Sequence, residues 1–179
     1  ALLTRAFAIL ADSYRASPAL AASLVAELAD AAGSRRLIGG QMEDLLAEKA
    51  RGTDAQGLQY IHLNKTAAMV EASLAMGAMC AGAGQSSVGA LRAAGRDLGL
   101  AFQIVDDILD GTSDSATLGK TAGKDARSGK ATFVSLHGLD GARRMARDRS
   151  DAAISALRAL PGDPRFLAAL AESLVGRTH

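Results

Sequence analysis

Three aspartates lie close together in the stretch GLAFQIVDDILDGTSD, which covers positions 99–114. Asp106, Asp107 and Asp110 follow a run of mostly apolar residues that predicts a buried helix. Because a helix turns by about 100° per residue, these carboxylates share one arc of its surface with Gln103. The helix is therefore apolar on most sides and carries one narrow acidic stripe, whose negative charge calls for a compensating cation.

The acidic stripe could lie on a solvated surface or line an interior cavity. The apolar residues of the same helix leave little surface to expose, which favours the cavity. Carboxylate oxygens with no neighbouring His or Cys suit a hard cation, above all Mg²⁺. Because Mg²⁺ is usually bound by one or two carboxylates together with substrate phosphates, the stripe predicts a magnesium site at which a phosphate group also binds.

Candidate phosphate ligands occur in two other parts of the chain. Lys65, in HLNKTAAM, shares a helical stripe with apolar residues, so its ammonium either reaches the surface or points into a polar cavity. Thr66 adds a hydroxyl donor beside it. The loop 112–130 is rich in Gly and Ser, and its cations include Lys120 and Lys130. This composition suits either a phosphate-binding lid or an ordinary solvated loop.

The elements that must position these residues are predicted to be helices. The chain has 3 prolines, and no stretch alternates apolar and polar residues as a strand does. Aromatic residues make up 3% of the chain, so we expect a core of aliphatic and small side chains, which allow helices to pack closely. We therefore predict an all-α fold, a helical bundle that forms a single domain over 1–179. The predicted helices cover 1–15, 18–33, 35–50, 56–83, 86–111, 131–159 and 163–176.

The composition restricts the classes of function. With 22% charged residues and a formal net charge of +1, the chain has no overall basic character that would favour nucleic acid. No run of the sequence reaches the roughly 20 apolar residues of a membrane span. The single cysteine, Cys80, cannot form an internal disulfide, which favours a reducing compartment and hence a cytoplasmic protein.

Several segments match the motifs of a known protein family, in the same order and with the same spacing. These segments are GGQMEDL, IHLNKTAAMVEAS, LGLAFQIVDDILD, TLGKTAGKDARSGKAT and HGLDGARRMA. They resemble the C-terminal half of the short-chain polyprenyl (isoprenyl) diphosphate synthases, the farnesyl and geranylgeranyl diphosphate synthase group. The resemblance covers nearly the whole chain, and FQxxDDxxD followed by LGK and GK is highly specific. It implies the isoprenoid-synthase helical bundle and Mg²⁺-dependent trans-prenyl transfer, in which an allylic diphosphate condenses head to tail with isopentenyl diphosphate.

The resemblance also implies roles for individual residues. Asp106 and Asp110 would hold Mg²⁺, with Asp107 supporting them. Gln41 and Asp44, in GGQMEDL, would lie near the metal cluster behind its ligands. The residues that would contact the allylic diphosphate are Lys65, Thr66, Gln103, Lys120 and Lys130. Those that would act directly in catalysis are Lys65, Asp106 and Lys120.

One part of the family pattern does not occur in this sequence. Family members carry a first aspartate-rich motif and an arginine pair upstream of this region, and the acids before position 100 form no such cluster. The segment ALLTRAFAIL resembles the family helix that follows those motifs. We therefore expect the chain to be the C-terminal part of a longer synthase, incomplete for catalysis by itself and homodimeric as part of the whole enzyme.

Two other classes of function stay open at this point. A non-catalytic subunit or degenerate homologue that binds a partner synthase would lack the first motif altogether. A terpene cyclase on the same fold normally carries an Asn/Ser/Glu pattern as its second metal motif, which DDILD does not match. The coding sequence upstream of Ala1 would separate the first of these classes from an active synthase.

Overall fold

The computed structural model describes residues 1–50, 52–112 and 131–176. Its helices are α1 (Leu2–Ser13), α2 (Pro18–Ala32), α3 (Leu37–Lys49), α4 (Ala55–His62), a π-helical turn that we call the π segment (Leu63–Ala67), α5 (Ala68–Cys80), α6 (Gln85–Thr112), α7 (Phe133–Arg158) and α8 (Arg165–Val175). The predicted all-α fold is confirmed. None of the helices in these residues combines the length and apolar character that crossing a membrane requires.

The helix α6 occupies the centre of the bundle. It is 28 residues long and packs against α5 and α7, the two helices with which it shares its most extensive contacts. One core cluster includes its residues Leu91 and Leu98, and a second includes Leu100 and Ile104 together with Phe133 of α7. Because α6 contributes to both clusters, its position fixes where the acidic stripe at its C-terminal end lies.

Small side chains fill much of the core, as the composition predicts. Burial of Phe133 is almost complete, and its ring stacks on His62 of α4 with the two ring centroids 5.4 Å apart. Elsewhere the helices meet largely through alanines, and those with no exposed surface include Ala67, Ala75, Ala101, Ala142, Ala153 and Ala171. Such side chains allow neighbouring helix axes to approach closely.

Local hydrogen bonds fix the start of α7. The Thr132 hydroxyl accepts a hydrogen bond from the Ser135 amide at 3.0 Å, and the Ser135 hydroxyl accepts one from the Thr132 amide at 2.9 Å. This reciprocal capping satisfies amides that a helix leaves without intrahelical partners. Within α7, Gly138 departs from helical geometry with φ 70° and ψ 163°, so the predicted continuous helix 131–159 is kinked there.

The predicted helix 56–83 differs most from the structure. It is divided into α4 and α5 by the π segment, which interrupts the regular pattern of hydrogen bonds between residues four apart. The predicted loop 112–130, with Lys120 and Lys130, lies outside the described residues except for Thr112, the last residue of α6.

Candidate functional site

Lys65 and Thr66 both lie in the π segment. This turn is bordered by α3 on one side and by α6 on the other. π-Helical turns inside α-helices are rare and are often found at functional sites, because they change the direction in which the inserted residues point. Both residues that the sequence identified as candidate phosphate ligands thus lie in this irregular turn.

The Lys65 ammonium is held by a carboxylate from α3. Its Nζ lies 2.6 Å from Oδ2 of Asp44, whose side chain is 10% exposed, while the Lys65 side chain is 30% exposed. Of the two alternatives that the sequence left open, the structure favours a lysine turned towards a polar partner rather than one extended into solvent. Asp44 was expected near the metal cluster, and the structure places it against Lys65.

An open cavity of about 360 Å³ lies beside the π segment. Lys65 and Thr66 contribute its polar groups, and the other lining residues are apolar: Met69, Val70, Leu98, Phe102 and Leu174. From the sequence, one alternative for Lys65 was that it points into a polar cavity. The cavity in the structure is mainly apolar and has polar groups at one side. Such an arrangement can bind a molecule with a charged head and a hydrocarbon tail.

The helix α6, which carries the acidic stripe, contacts the π segment at Gly99. A Cβ atom at Gly99 of α6 would lie 2.5 Å from the Cα atom of Ala67, so the two backbones are in direct contact there. Asp106 follows Gly99 by about two helical turns on nearly the same line of α6, roughly 10 Å along the axis. Lys65 and Thr66 therefore lie near the start of the line that leads to Asp106 and Asp110.

Asp106 is exposed, whereas Gln103 and Asp110 are half-buried. The expectation that the whole stripe is enclosed in a cavity therefore does not hold for Asp106 in the described part of the chain. The physical reason is that α6 buries its sides towards α5 and α7, and Asp106 lies outside both contacts. Exposure leaves its carboxylate accessible to a cation from solvent.

Asp107 is engaged by the beginning of α7. Its Oδ2 accepts a hydrogen bond of 2.7 Å from the backbone amide of Phe133. A carboxylate at a helix N-terminus satisfies an amide that has no intrahelical partner and interacts favourably with the helix dipole. Asp107 thus connects the end of α6 to the start of α7, which separates its position from those of Asp106 and Asp110.

The donor atoms of Asp106 and Asp110 are compatible with Mg²⁺. The two carboxylates are one helical turn apart and offer oxygen ligands, which this cation prefers. Within the described ranges, no cluster of three or more His, Cys, Asp or Glu side chains is arranged to hold a metal ion. Two carboxylates suffice for a Mg²⁺ ion that keeps waters and shares a phosphate. Gln41, predicted to lie behind the ligands, is exposed on α3.

A buried ion network that the sequence analysis missed holds the helices around the π segment. Glu71 of α5 is almost completely buried, and its carboxylate lies 2.7 Å from the guanidinium of Arg36 and 3.2 Å from that of Arg96. The network joins the start of α3 to α5 and α6. Its sequence signal was the position of Glu71 on the buried face of α5, among alanines, where a carboxylate requires cationic partners.

Burial raises the pKa of Glu71, but hydrogen bonds and charge attraction from Arg36 and Arg96 outweigh this, so its pKa lies below the ordinary value of 4.5. A lowered carboxylate pKa adds stability that is present above about pH 4.5 and is lost as the pH falls through the folded-state pKa. We expect Glu71→Gln to lose this part of the acid sensitivity and to be less stable at neutral pH by about 2–4 kcal/mol. Urea unfolding between pH 7 and pH 3 measures both effects, and parallel stability curves for the two proteins would contradict the assignment.

A family sequence model and individual known proteins both match this chain, and both indicate the same protein family. The sequence model of the polyprenyl synthetase family matches residues 1–160. The chain is 41% identical to the farnesyl diphosphate synthase of Escherichia coli over 183 residues, which cover 99% of this chain and 61% of that protein. It is 44% identical to the chloroplastic geranylfarnesyl diphosphate synthase of Leucosceptrum canum over 149 residues, covering 82% of this chain and 41% of the relative.

Solved structures show the same fold. A farnesyl/geranylfarnesyl diphosphate synthase from Zymomonas mobilis superposes with a TM-score of 0.83 at 33% identity, covering 96% of this chain and 57% of that one. A geranyltransferase from Helicobacter pylori, solved with magnesium and isoprenyl diphosphate, superposes with a TM-score of 0.78 at 31% identity, covering 97% and 56%. The chain thus spans about half the length of the relatives that it matches.

Proposed function

Because the chain belongs to the polyprenyl synthetase family, we propose that it is the C-terminal part of a short-chain polyprenyl diphosphate synthase. The proposed reaction is the Mg²⁺-dependent head-to-tail condensation of an allylic diphosphate with isopentenyl diphosphate. The observation that carries the proposal is the position of Lys65 and Thr66 at the polar side of a mainly apolar cavity, next to the contact of Ala67 with Gly99, which precedes Asp106 by about two turns of α6.

In the proposed reaction, the C–O bond of the allylic diphosphate breaks and its electron pair leaves with the diphosphate. The Lys65 ammonium and the Thr66 hydroxyl donate hydrogen bonds to the oxygens that gain charge, which lowers the barrier because these donors are already in place. Gln103 would add an amide donor. Mg²⁺, held by Asp106 and Asp110, would supply further stabilisation of the leaving diphosphate.

The apolar wall of the cavity suits the other product of this step, an allylic carbocation. Side chains such as Leu98 and Phe102 exclude water, which would otherwise quench the cation before the double bond of isopentenyl diphosphate attacks it. That attack forms the new C–C bond, and transfer of a proton from the resulting cation to the released diphosphate completes the longer prenyl diphosphate. A covalent nucleophile on the protein is not needed for this chemistry.

The remaining expected residues complete the proposal. Asp107 would support the metal ligands from its contact with α7, and Gln41 and Asp44 would act from α3. Lys120, expected in catalysis, and Lys130 would contact the same diphosphate; both lie outside the described residues.

We further propose that the enzyme is a cytoplasmic homodimer. The support for pairing is a row of exposed apolar side chains on the outer face of α3. Single exposed apolar residues are common on protein surfaces, whereas a continuous row of them is typical of an interface. The row consists of Ile38, Met42, Leu45 and Leu46. The support for the compartment is the free thiol of Cys80, which is exposed. Light scattering on the purified protein would give the number of chains in the assembly.

We expect the longest polypeptide that contains residues 1–179 to convert dimethylallyl or geranyl diphosphate, together with isopentenyl diphosphate, into a longer prenyl diphosphate in the presence of Mg²⁺. The 179-residue chain alone should show no measurable turnover, because the family that it resembles also carries a first aspartate-rich motif and an arginine pair, and this sequence has neither. Mass spectrometry of the prenyl diphosphates formed by each of the two polypeptides measures the turnover of both.

Chelation of divalent cations is the control for this experiment and should abolish product formation. Robust turnover by the 179-residue chain would show that its own residues complete the metal site. A longer polypeptide that lacks turnover but binds a second synthase would instead identify a non-catalytic subunit.

A further inference from the structure

Two glycines on different helices face the π segment. A Cβ atom at Gly40 of α3 would lie 2.5 Å from the backbone nitrogen of Lys65 and 3.0 Å from the Cβ atom of Asn64. A Cβ atom at Gly99 of α6 would lie 2.5 Å from the Cα and 2.8 Å from the Cβ of Ala67. The 2.5 Å separations are shorter than real Cβ atoms show, so a side chain at either glycine would force the π segment or the glycine's own helix to shift.

These two contacts fall at Lys65 and at Ala67, the residues on either side of Thr66 in the sequence. Gly40 touches the backbone of Lys65, Gly99 touches that of Ala67, and Thr66 lies between them. The backbone of the π segment is therefore fixed from two directions by helices that pack against it without an intervening side chain. A π turn that is held in this way keeps its backbone in one position, which fixes the points from which the Lys65 and Thr66 side chains extend.

Asp44 adds a third constraint from the same side as Gly40. It follows Gly40 by four residues, so both lie on one face of α3. That face places the glycine against the Lys65 backbone and the Asp44 carboxylate 2.6 Å from the Lys65 ammonium. Asp44 is buried, so the ion pair is shielded from solvent on its acidic side and restricts the rotamers open to the lysine.

We propose that Gly40, Gly99 and Asp44 are positioning residues for the anion-binding groups of the π segment. They set where the Lys65 ammonium and the Thr66 hydroxyl stand at the cavity, without themselves touching the bound diphosphate. This inference rests on the proposed function for the identity of the anion. A small displacement of a positioned group weakens a reaction strongly, so the effect of these residues should exceed that of ordinary helix packing.

The test uses Gly40→Ala and Gly99→Ala in the longest polypeptide that contains the chain, with calorimetric titration of inorganic pyrophosphate in Mg²⁺. We expect each substitution to weaken pyrophosphate binding by about tenfold or more. In steady-state assays, kcat/KM for the allylic diphosphate should fall by at least about tenfold, while KM for isopentenyl diphosphate stays within about twofold. If the glycines had a purely structural role, the folded fraction of each variant would keep the wild-type pyrophosphate affinity and the wild-type kcat/KM for the allylic diphosphate.

The matched control is Gly89→Ala, because Gly89 lies in α6 and a Cβ atom there would meet no other atom within 4 Å. It should leave pyrophosphate binding unchanged and raise Tm slightly, since alanine favours a helix over glycine. Wild-type affinity in folded Gly40→Ala and Gly99→Ala proteins would overturn the proposal.

A second variant keeps the test decisive if the glycine variants do not fold. Asp44→Asn retains the size of the side chain and places no new atom against the π segment. We expect it to weaken pyrophosphate binding by roughly three- to tenfold, as for a lost charge-assisted hydrogen bond. Unchanged or tighter binding would mean that Asp44 merely competes for the ammonium, which overturns the proposal.

Failure of the proposed function gives a different result. A wild-type protein that binds pyrophosphate and loses affinity in the variants, but forms no prenyl product, contradicts prenyl transfer and leaves the positioning role in place. A wild-type protein that does not bind pyrophosphate at all contradicts both.

Discussion

Asp106→Ala, made in the longest polypeptide that contains the chain, is expected to slow prenyl transfer by at least about a thousandfold while leaving the helical fold intact. The kinetic effect follows from the proposed metal site, because one of two carboxylates that would hold Mg²⁺ is removed where charge develops on the leaving diphosphate. The stability of the protein should hold or rise slightly. Asp106 is exposed, and its removal relieves repulsion from Asp107 and Asp110 when no cation is bound.

The experiment compares turnover and urea unfolding of the variant with those of Asp148→Ala. Asp148 is an exposed acid on α7, away from the acidic stripe, so its removal should change neither quantity. Turnover of Asp106→Ala should also require more Mg²⁺ than that of the wild type. An Asp106→Ala protein that is largely unfolded, but whose folded fraction keeps normal specific activity, would assign Asp106 to the structure and reject the metal role.

The helical fold could be predicted because it follows from local properties of the chain. Apolar residues recur with helical spacing, turn residues separate the segments, and small side chains dominate the core. The predicted helices 18–33 and 86–111 agree with α2 and α6 to within about one residue at each end. Such features depend on neighbouring residues, which a sequence displays directly.

The π segment could not be predicted from the same pattern. One inserted residue rotates everything after it by about 100°, but α5 is apolar on nearly every side, so the rotation leaves no visible break in the sequence pattern. What stabilises the turn is its contact with Gly40 and Gly99, which are 23–27 and 32–36 residues away from it in opposite directions. Contacts of this range depend on how three helices pack, and no local spacing encodes that.

The candidate site was predictable in its residue types but not in its geometry. Helical spacing placed Asp106 and Asp110 on one arc, but it could not specify which part of that arc the neighbouring helices cover. Asp106 proves to be exposed for this reason. Lys65 shows the complementary limit, since its alternatives could be distinguished only when α3 brought Asp44 to it.

Glu71 is the residue that the sequence could have revealed. It follows the buried Ala68 by three residues and precedes the buried Ala75 and Ala78 of α5 by four and seven residues, so all four lie on one face of that helix. An acid at such a position requires cationic partners, although the pattern alone does not identify them.

Lys65→Met is expected to lower both the activity and the stability of the protein, because Lys65 is the proposed donor to the diphosphate and also the ion-pair partner of Asp44. The methionine fills similar space but carries no charge, so the diphosphate loses a preorganised cationic donor. In the longest polypeptide that contains the chain, we expect kcat/KM for the allylic diphosphate to fall by about 100- to 1000-fold, as for the loss of one donor to a developing oxyanion. Asp44, which is buried, also loses the ammonium beside it, and we expect a loss of about 2 kcal/mol in stability because Lys65 itself is partly exposed.

The double variant Lys65→Met with Asp44→Asn distinguishes these effects, because a neutral amide no longer needs a cation. It should recover most of the lost stability in urea unfolding and none of the lost activity. Lys49→Met, which removes an exposed lysine from the end of α3, is the matched control and should resemble the wild type in both measurements. Recovery of activity in the double variant would mean that the Lys65 ammonium only neutralises Asp44 and does not act on the diphosphate.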